Sequence, residues 1–168
     1  LPAVTHPHKN HKFLLQLMKS HWVDKNLVLV CAGGQGRSEV DFMREVRRLN
    51  LDDRVVRIGR VTDDDRDGLL KLSRALVFPS LYEGFGAPVI EAMQLGTPVI
   101  ASDCAALPEI VGDAGLVLSL KVEIWADSLD VVASKKEALV KAGKLRAEFF
   151  SIVNSGKDLA LAYEATNS

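Results

Sequence analysis

The sequence has few cysteines, and those present form no recognisable pattern. Cys31 and Cys104 are the two cysteines among 168 residues, and they lie far apart without a CxxC motif. This spacing argues against a disulfide framework and against a cysteine-based metal site. Cys31 lies inside an apolar run, so we interpret it as a small core residue, which fits a reducing compartment.

Strong net charge and long hydrophobic runs are also missing. The net charge is −1 with an isoelectric point near 6.5, which gives no bulk attraction to nucleic acid or to an anionic membrane surface. No stretch is long and apolar enough to span a bilayer, and no signal peptide is visible. These absences favour a cytoplasmic protein, and they are compatible with peripheral membrane association of a larger enzyme.

Aromatic residues make up 6% of the chain, and the two tryptophans, Trp22 and Trp125, lie in segments without any other functional signal. We interpret both as core or interdomain packing residues, because nothing around them indicates base stacking. Hydrophobic residues account for 48% of the sequence. A chain of this length and composition can bury one substantial core, so we expect residues 1–168 to form a single domain.

Strand and helix patterns alternate along the chain. Near-continuous apolar runs predict strands at residues 27–32, 55–59, 76–79, 99–101 and 115–118, and a strand remnant at 1–4. Helical periodicity predicts helices at residues 10–20, 38–49, 62–73, 88–95 and 107–111, followed by an all-helical segment at 123–166. Thr62 and Asp65 have the spacing of a capping box, and the acidic run that follows Thr62 reads as a solvated helix start. This alternation predicts an α/β fold: a Rossmann-like, doubly wound parallel sheet with helices on both faces.

The most informative segment runs from Ser80 to Glu91. It follows a short apolar strand, contains Gly84 and Gly86, and leads into a helix with Pro88 in the first turn. A strand, a glycine-containing turn and a helix N-terminus together favour an anion site, because free amides and the helix dipole both attract negative charge. A carboxylate at Glu91, among apolar neighbours, needs a partner such as a sugar hydroxyl. The alternative interpretation is that the glutamates are solvated charges beside an ordinary β–α turn.

The sequence of this segment resembles the Glu-x7-Glu signature of retaining glycosyltransferases of the glycogen-synthase-like and mannosyltransferase-like group. These enzymes have the two-domain GT-B fold. The signature corresponds to Glu83 and Glu91, and the likeness continues through residues 92–102 and 107–115. Weaker similarity extends from about His8 to about Tyr163. The resemblance implies that this chain is one half of a GT-B fold, the carboxy-terminal domain that binds the nucleotide-sugar donor.

The resemblance also implies roles for individual positions. Glu83 is expected to bind hydroxyls of the transferred sugar, with the backbone of Phe85 and Gly86 lining the same sugar. The backbone at Ala87 and Pro88 is expected to meet the donor diphosphate. Because Pro88 has no N–H, only Ala87 can donate a hydrogen bond there. The family needs no divalent ion, so no metal cofactor is expected.

Three further positions are expected to complete the donor site. Lys9, at the start of a helix, is implied to face the diphosphate, and Glu91 is implied to bind the ribose hydroxyls. The backbone of Arg60 and Val61 is implied to hold the nucleobase. The alternative for Lys9 is an ordinary surface lysine, and for Arg60 a solvated strand end. Many members of the family carry an arginine five residues before the lysine, but this chain has Val4 there.

Two other motifs need interpretation. The turn that contains Gly33 and Gly34 follows a strand and precedes a helix, a pattern that by itself favours ordinary turn chemistry over a phosphate or sugar contact. The resemblance implies the second interpretation, because in that family the loop at this place lies close to the donor. His6, His8 and His11 are three of the four histidines. Their spacing does not repeat a helical face, and no cysteine or acidic residue lies near them in the sequence, so we do not expect a metal site there.

The resemblance covers only the second of two facing GT-B domains. The final helix, at about residues 157–166, is expected to cross toward the other domain, which carries the acceptor site. We therefore expect the 168 residues alone to transfer nothing, and the complete enzyme to act on a glycan or lipid-linked acceptor. GDP-mannose is the favoured donor, with UDP- and dTDP-sugars as alternatives. Two other functions remain open: a non-catalytic nucleotide-sugar-binding domain, and another GT-B enzyme such as an epimerase, hydrolase or phosphorylase.

Overall fold

A computed structural model describes residues 1–166, and the alternation of strands and helices predicted from the sequence is present in it. The strands are β1 (Leu29–Ala32), β2 (Val55–Gly59), β3 (Leu76–Phe78), β4 (Val99–Ser102) and β5 (Leu116–Leu118). The helices are α1 (His11–Ser20), α2 (Glu39–Arg48), α3 (Asp63–Leu72), α4 (Ala87–Gln94), α5 (Leu107–Val111), α6 (Val122–Trp125), α7 (Ser128–Ser134), α8 (Lys136–Phe149) and α9 (Ile152–Thr166). Short 3₁₀ turns occupy Pro7–Lys9 and Gly112–Ala114.

The strands pair in parallel, but they form two sheets rather than one continuous sheet. One sheet contains β1 and β2, with Leu29 opposite Val55. The other has the order β3-β4-β5, with Leu76 opposite Val99. Residues 1–5 run beside β1 and hydrogen-bond to it, with an isolated bridge between Pro2 and Ala32. Proline has no N–H to continue a ladder, and a cavity of about 300 Å³ lies between this segment, β1 and β3.

Alternating strand residues face two separate cores, as expected for a sheet that is covered on both faces. Val77 and Ile100 pack with α1, α2 and the helices that follow β5. Phe78, Val99 and Ala101 point the other way and pack with α4 and α5. The predicted fold class is therefore confirmed, and the successive strands end at one edge, where loops carry the candidate site residues.

Local signals account for several element boundaries. The Thr62 side chain accepts a hydrogen bond from the Asp65 amide at 3.1 Å, which confirms the predicted cap of α3. Gly86 caps α4 with a positive φ of 84°, a conformation that favours glycine. The two tryptophan side chains are buried and donate to backbone carbonyls, Trp22 to Ala126 and Trp125 to Ser119, each at 3.0 Å. Their interpretation as core residues is confirmed.

The all-helical segment after β5 consists of four helices, the third of which supports the signature region. In α8, Gly143 lies directly against the Met93 side chain of α4. Further along α8, Arg146 donates to the carbonyl oxygens of Glu109 and Ile110 at the end of α5. Helix α8 thereby fixes α4, whose N-terminus faces the candidate site.

Candidate functional site

The candidate residues converge beyond the carboxyl ends of the strands, where ligands bind in folds of this class. A cavity of about 440 Å³ opens there between residues 2–9, the ends of β1 and β2, and the start of α3. Four of the predicted site residues line this cavity: Lys9, Gly33, Arg60 and Val61. Val4 lines it as well, at the position where the sequence departs from the family pattern.

Lys9 and Glu83 are brought together although 74 residues separate them in the sequence. The Lys9 Nζ atom donates to Glu83 Oε1 at 2.6 Å, and the two side chains are only 17% and 11% exposed. The ammonium group also lies 5.4 Å from the centre of the Phe78 ring. The Leu81 amide donates to the His8 carbonyl at 2.7 Å, which fixes the signature loop beside the 3₁₀ turn that carries Lys9. An ordinary surface lysine does not fit this environment.

The N-terminus of α4 faces the same edge. Ala87 is the first residue of the helix, and its amide has no acceptor within residues 1–166. Pro88 lies in the first turn, as predicted. Gly86 is buried, and a Cβ atom on it would lie 3.0 Å from Leu107 Cδ2. The Phe85 side chain is half-exposed and its ring packs edge-on against Phe150, with ring centres 5.7 Å apart.

Glu91 is half-buried on α4 and faces an arginine that the sequence analysis did not single out. Its carboxylate lies 3.7 Å from Arg66 Nε, and the two side chains are 35% and 28% exposed. Arg66 also pairs with Asp63 and Asp67, each at 2.9 Å, and lines the cavity. The signal available in the sequence was a single arginine within an acidic run, which we had interpreted as an ordinary solvated helix start.

The glycine turn after β1 lies under Arg60. A Cβ atom on Gly34 would lie 3.2 Å from Arg60 Nε, so the arginine side chain crosses the turn. Arg60 is exposed and has no ion pair among residues 1–166. The cavity therefore has one cation held by Glu83, one held by aspartates and one, Arg60, without a carboxylate partner.

A second ion pair, between Arg57 and Glu39, lies beneath the glycine turn and was missed by the sequence analysis. Arg57 Nε donates to Glu39 Oε1 at 3.1 Å, and the side chains are 10% and 14% exposed. Burial alone would raise the pKa of Glu39, but hydrogen bonds from Thr5 and Arg57, together with the arginine charge, hold that pKa below its ordinary value. Arg57 gave no signal, because one charged residue within a strand pattern is common.

The histidine-rich segment forms no metal site in the described chain. No group of three or more His, Cys, Asp or Glu side chains among residues 1–166 could hold a metal ion. His6 and His8 stack at 5.8 Å, whereas His11 is buried against Phe42. No helix in the same residue range is long and apolar enough to cross a membrane.

The arrangement offers complementary groups to a ligand with anionic and hydroxyl parts. Lys9, Arg60 and the free amide of Ala87 favour negative charge, and Glu83 and Glu91 can accept hydrogen bonds from hydroxyls. Lys9 and Arg60 line the cavity, and Glu83 and Glu91 are each paired with a residue that lines it.

Comparison with known proteins gives a consistent family assignment. The family model described as "Glycosyl transferases group 1" matches residues 3–146. Over 165 residues the chain is 38% identical to O-antigen chain mannosyltransferase B of Escherichia coli, covering 94% of this chain and 43% of that protein. It is 32% identical over 146 residues to O-antigen chain mannosyltransferase RfbU of Salmonella typhimurium, covering 85% of this chain and 40% of that protein.

Solved structures agree in fold. HepE from Anabaena in complex with UDP and glucose superposes with a TM-score of 0.81 at 19% identity, covering 97% of this chain and 47% of that chain. Sucrose-phosphate synthase from Thermosynechococcus elongatus gives a TM-score of 0.79 at 24% identity, covering 96% of this chain and 44% of that chain. The chain thus spans about two fifths of the curated relatives it matches and just under half of these structures.

Proposed function

The chain belongs to the glycosyl transferases group 1 family, and we propose that it forms the donor-binding domain of an enzyme that transfers a hexose from a nucleotide sugar to a glycan or lipid-linked acceptor. The family resemblance seen in the sequence is confirmed, and the fold is that of one domain of a GT-B glycosyltransferase. The observation that carries the proposal is that Glu83 and Glu91 pair with Lys9 and Arg66, two cations that line one strand-end cavity, while the first amide of α4 is left free.

The sugar and diphosphate occupy the side of the site formed by the signature loop. Glu83 accepts hydrogen bonds from sugar hydroxyls, while the backbone of Phe85 and Gly86 lines the sugar. The Ala87 amide and the Lys9 ammonium meet the diphosphate, for which the helix N-terminus supplies a favourable dipole. Lys9 must then exchange Glu83 for the phosphate oxygens when the donor binds.

The nucleoside occupies the other side of the site. Glu91 accepts hydrogen bonds from the ribose hydroxyls, and Arg66 beside it holds the carboxylate in place. The backbone of Arg60 and Val61, at the end of β2, holds the base, and the turn at Gly33 and Gly34 closes the site near the donor. A base that is bound by backbone atoms does not require particular residue types, so the proposed base rests on the relatives alone.

The groups of this chain act mainly on the leaving nucleoside diphosphate. Negative charge develops on it as the glycosidic bond breaks, and the Lys9 ammonium with the Ala87 amide stabilises that charge. These groups need no divalent ion for this task. We further propose that the reaction retains the anomeric configuration and that GDP-mannose is the donor. The donor choice is supported by relatives named mannosyltransferases.

Calorimetric titration with GDP, UDP, ADP and dTDP, each with and without magnesium, tests the proposal. We expect saturable, magnesium-independent binding of one nucleotide. Glu91→Ala should weaken it by about tenfold or more, because hydrogen bonds to a charged group contribute about 1.5–3 kcal/mol. Glu123→Ala, which removes an exposed carboxylate on α6, is the matched control and should bind as the wild type does. Absence of nucleotide binding by the wild type would contradict the proposal.

A further inference from the structure

The glycine turn after β1 packs backbone against backbone on the segment that leads to Lys9. A Cβ atom on Gly33 would lie 2.4 Å from the Ala3 carbonyl oxygen, and one on Gly36 would lie 2.5 Å from the Thr5 carbonyl oxygen. Real Cβ atoms do not approach a backbone oxygen so closely, so both positions require glycine. The Thr5 amide also donates to the Gly34 carbonyl, but at 3.4 Å, which is long for a hydrogen bond.

Arg57, from β2, fixes the peptide groups from beneath. Its guanidinium donates to the Gly34 carbonyl at 2.8 Å and to the Cys31 carbonyl at 3.1 Å, while its Nε bonds to Glu39. Glu39 also accepts a hydrogen bond from the Thr5 hydroxyl. That hydroxyl in turn accepts one from the Gly36 amide at 2.8 Å, so a single network ties down both ends of the turn.

Two amides in the middle of the turn remain free. Gly33 N–H donates to the Gly59 carbonyl at 2.6 Å, and Ser38 N–H donates to the Thr5 carbonyl at 2.8 Å. The N–H groups of Gly34 and Gln35 have no acceptor within residues 1–166. Successive free amides of this kind bind anionic or carbonyl-like oxygens. The turn borders the cavity through Gly33.

We propose that Arg57 is a positioning residue for donor binding: with Glu39 it holds the glycine turn so that the Gly34 and Gln35 amides face an oxygen of the nucleotide-sugar donor. This inference rests on the proposed function. A buried ion pair by itself is a poor source of stability, since desolvation offsets most of its attraction. The Arg57 guanidinium sets the direction of the Gly34 carbonyl, and the Gln35 amide of the same peptide group therefore points the opposite way. An apolar pair could not orient that peptide group.

Arg54 provides a matched control at the opposite end of the same strand region. It donates to three backbone carbonyls, those of Leu27, Met18 and Trp22, and it is half-buried like Arg57. Those carbonyls lie away from the cavity, at the amino end of the sheet. Arg54→Lys therefore removes the same fork of hydrogen bonds without touching the turn.

The test compares Arg57→Lys, Glu39→Gln and Arg54→Lys by nucleotide titration at a temperature where all are folded, with thermal unfolding measured in parallel. We expect both changes in the network to weaken binding of the nucleotide that the wild type prefers by about tenfold, which equals about 1.4 kcal/mol. Arg54→Lys should lower the unfolding temperature but keep the wild-type Kd within about twofold. Amide exchange at Gly36 should quicken in Arg57→Lys and Glu39→Gln but not in Arg54→Lys.

The outcomes separate this inference from the proposed function. If the wild type binds a nucleotide and Arg57→Lys binds it equally well, the positioning role is wrong while the donor-domain proposal stands. If the wild type binds none of the four nucleotides, both are wrong. Should Arg57→Lys fail to fold, Thr5→Val removes only the hydroxyl that joins Glu39 to the Gly36 amide, and unchanged affinity in that variant overturns the inference.

Discussion

His11 shows how strongly the interior acts on a single ionisable side chain. The residue is 5% exposed, its ring packs edge-on against Phe42, and its Nε2 atom is buried without a hydrogen-bond partner. Burial lowers the pKa of His11 from 6.5 to about 4, with the positive charges of the chain N-terminus and Arg57 acting in the same direction. The His11 imidazole is therefore neutral in the folded chain at neutral pH.

Stability should fall as the pH drops from 6.5 toward 4. Over that interval the unfolded chain binds a proton at His11 and the folded chain does not, so acid favours unfolding. The free energy of unfolding that depends on neutral His11 is fully present above pH 6.5 and is lost by about pH 4. At about 1.36 kcal/mol per pKa unit it amounts to about 3 kcal/mol. Glu39, whose pKa is lowered, adds a loss of the same sign at pH values below 4.5.

Urea unfolding across this pH range checks the prediction. His11→Leu should flatten the dependence between pH 6.5 and 4, because the variant lacks the imidazole whose pKa is lowered by burial. His21→Leu, at an exposed position after α1, should keep the full wild-type slope. Equal slopes in all three proteins would show that His11 is not the group responsible.

Arg60 is expected to strengthen phosphate binding through its side chain, in addition to the backbone role at the base. It lines the cavity beside Val4 and has no carboxylate partner among the described residues. Arg60→Ala should therefore weaken GDP by about fivefold, or about 1 kcal/mol, and leave guanosine nearly unaffected. Adding Val4→Arg to Arg60→Ala should restore part of the GDP affinity, since the two positions border the same cavity. Arg47→Ala, on the exposed face of α2, is the control of equal charge.

At the scale of elements, α4 links the candidate site to the C-terminal helices. Its N-terminus faces the site, and its middle contacts α8 through Met93 and Gly143. A Cβ atom on Gly143 would lie 3.3 Å from Met93 Cγ, so the two helices approach as closely as glycine permits. Gly143 therefore sets the distance between the helices.

Gly143→Leu should push α8 away from α4 and destabilise the fold by about 1–3 kcal/mol, as overpacking of a filled interface does. Nucleotide affinity should fall with it, because α4 carries the amide at its N-terminus. Gly156→Leu makes the same change in α9, where nothing lies within 4 Å of the added atom, and should be neutral or slightly stabilising because leucine favours helix. Chemical denaturation of the two variants measures the difference; equal stabilities would contradict the close-contact argument.

Elements with local signals were predicted well from the sequence. The strand at Val55–Gly59 and the helix at Leu107–Val111 match the predicted ranges, since apolar periodicity and proline placement act within a few residues. The break between the two sheets was not predicted, because it depends on how Pro2 meets Ala32 across the fold. The helical tail was predicted as one region; its division into four helices depends on packing.

The residues of the candidate site that belong to a recognisable sequence motif could be predicted. Glu83, Glu91 and the glycine turn were named from sequence and lie together, although their roles remain predictions. The Arg57–Glu39 and Arg66–Glu91 contacts could not be predicted, since each joins residues 18 or more positions apart and neither arginine belongs to a motif. Only the folded chain brings such pairs together.

At the scale of the whole molecule, we propose that the chain is one domain of a two-domain enzyme. It covers 43% and 40% of the two curated relatives described above, and in the GT-B arrangement the acceptor binds on the other domain. We expect these 168 residues to bind nucleotide but to transfer no sugar. Chromatographic product analysis with GDP-mannose and a mannose-terminated oligosaccharide checks this, with nucleotide titration of the same sample as the control for folding. Sugar transfer by the chain alone would contradict the expectation.

The Lys9–Glu83 ion pair also affects which ligands can bind at the site. In the ligand-free chain each charge serves as the other's counter-ion, at 2.6 Å and largely shielded from water. Inorganic diphosphate could satisfy the lysine but would leave the carboxylate without a partner; a free hexose would do the reverse. Only a molecule with both parts compensates both residues, because a buried charge without a partner is costly. Under the proposed roles of Lys9 and Glu83, we expect the site to bind an intact nucleotide sugar more tightly than inorganic diphosphate or a free hexose.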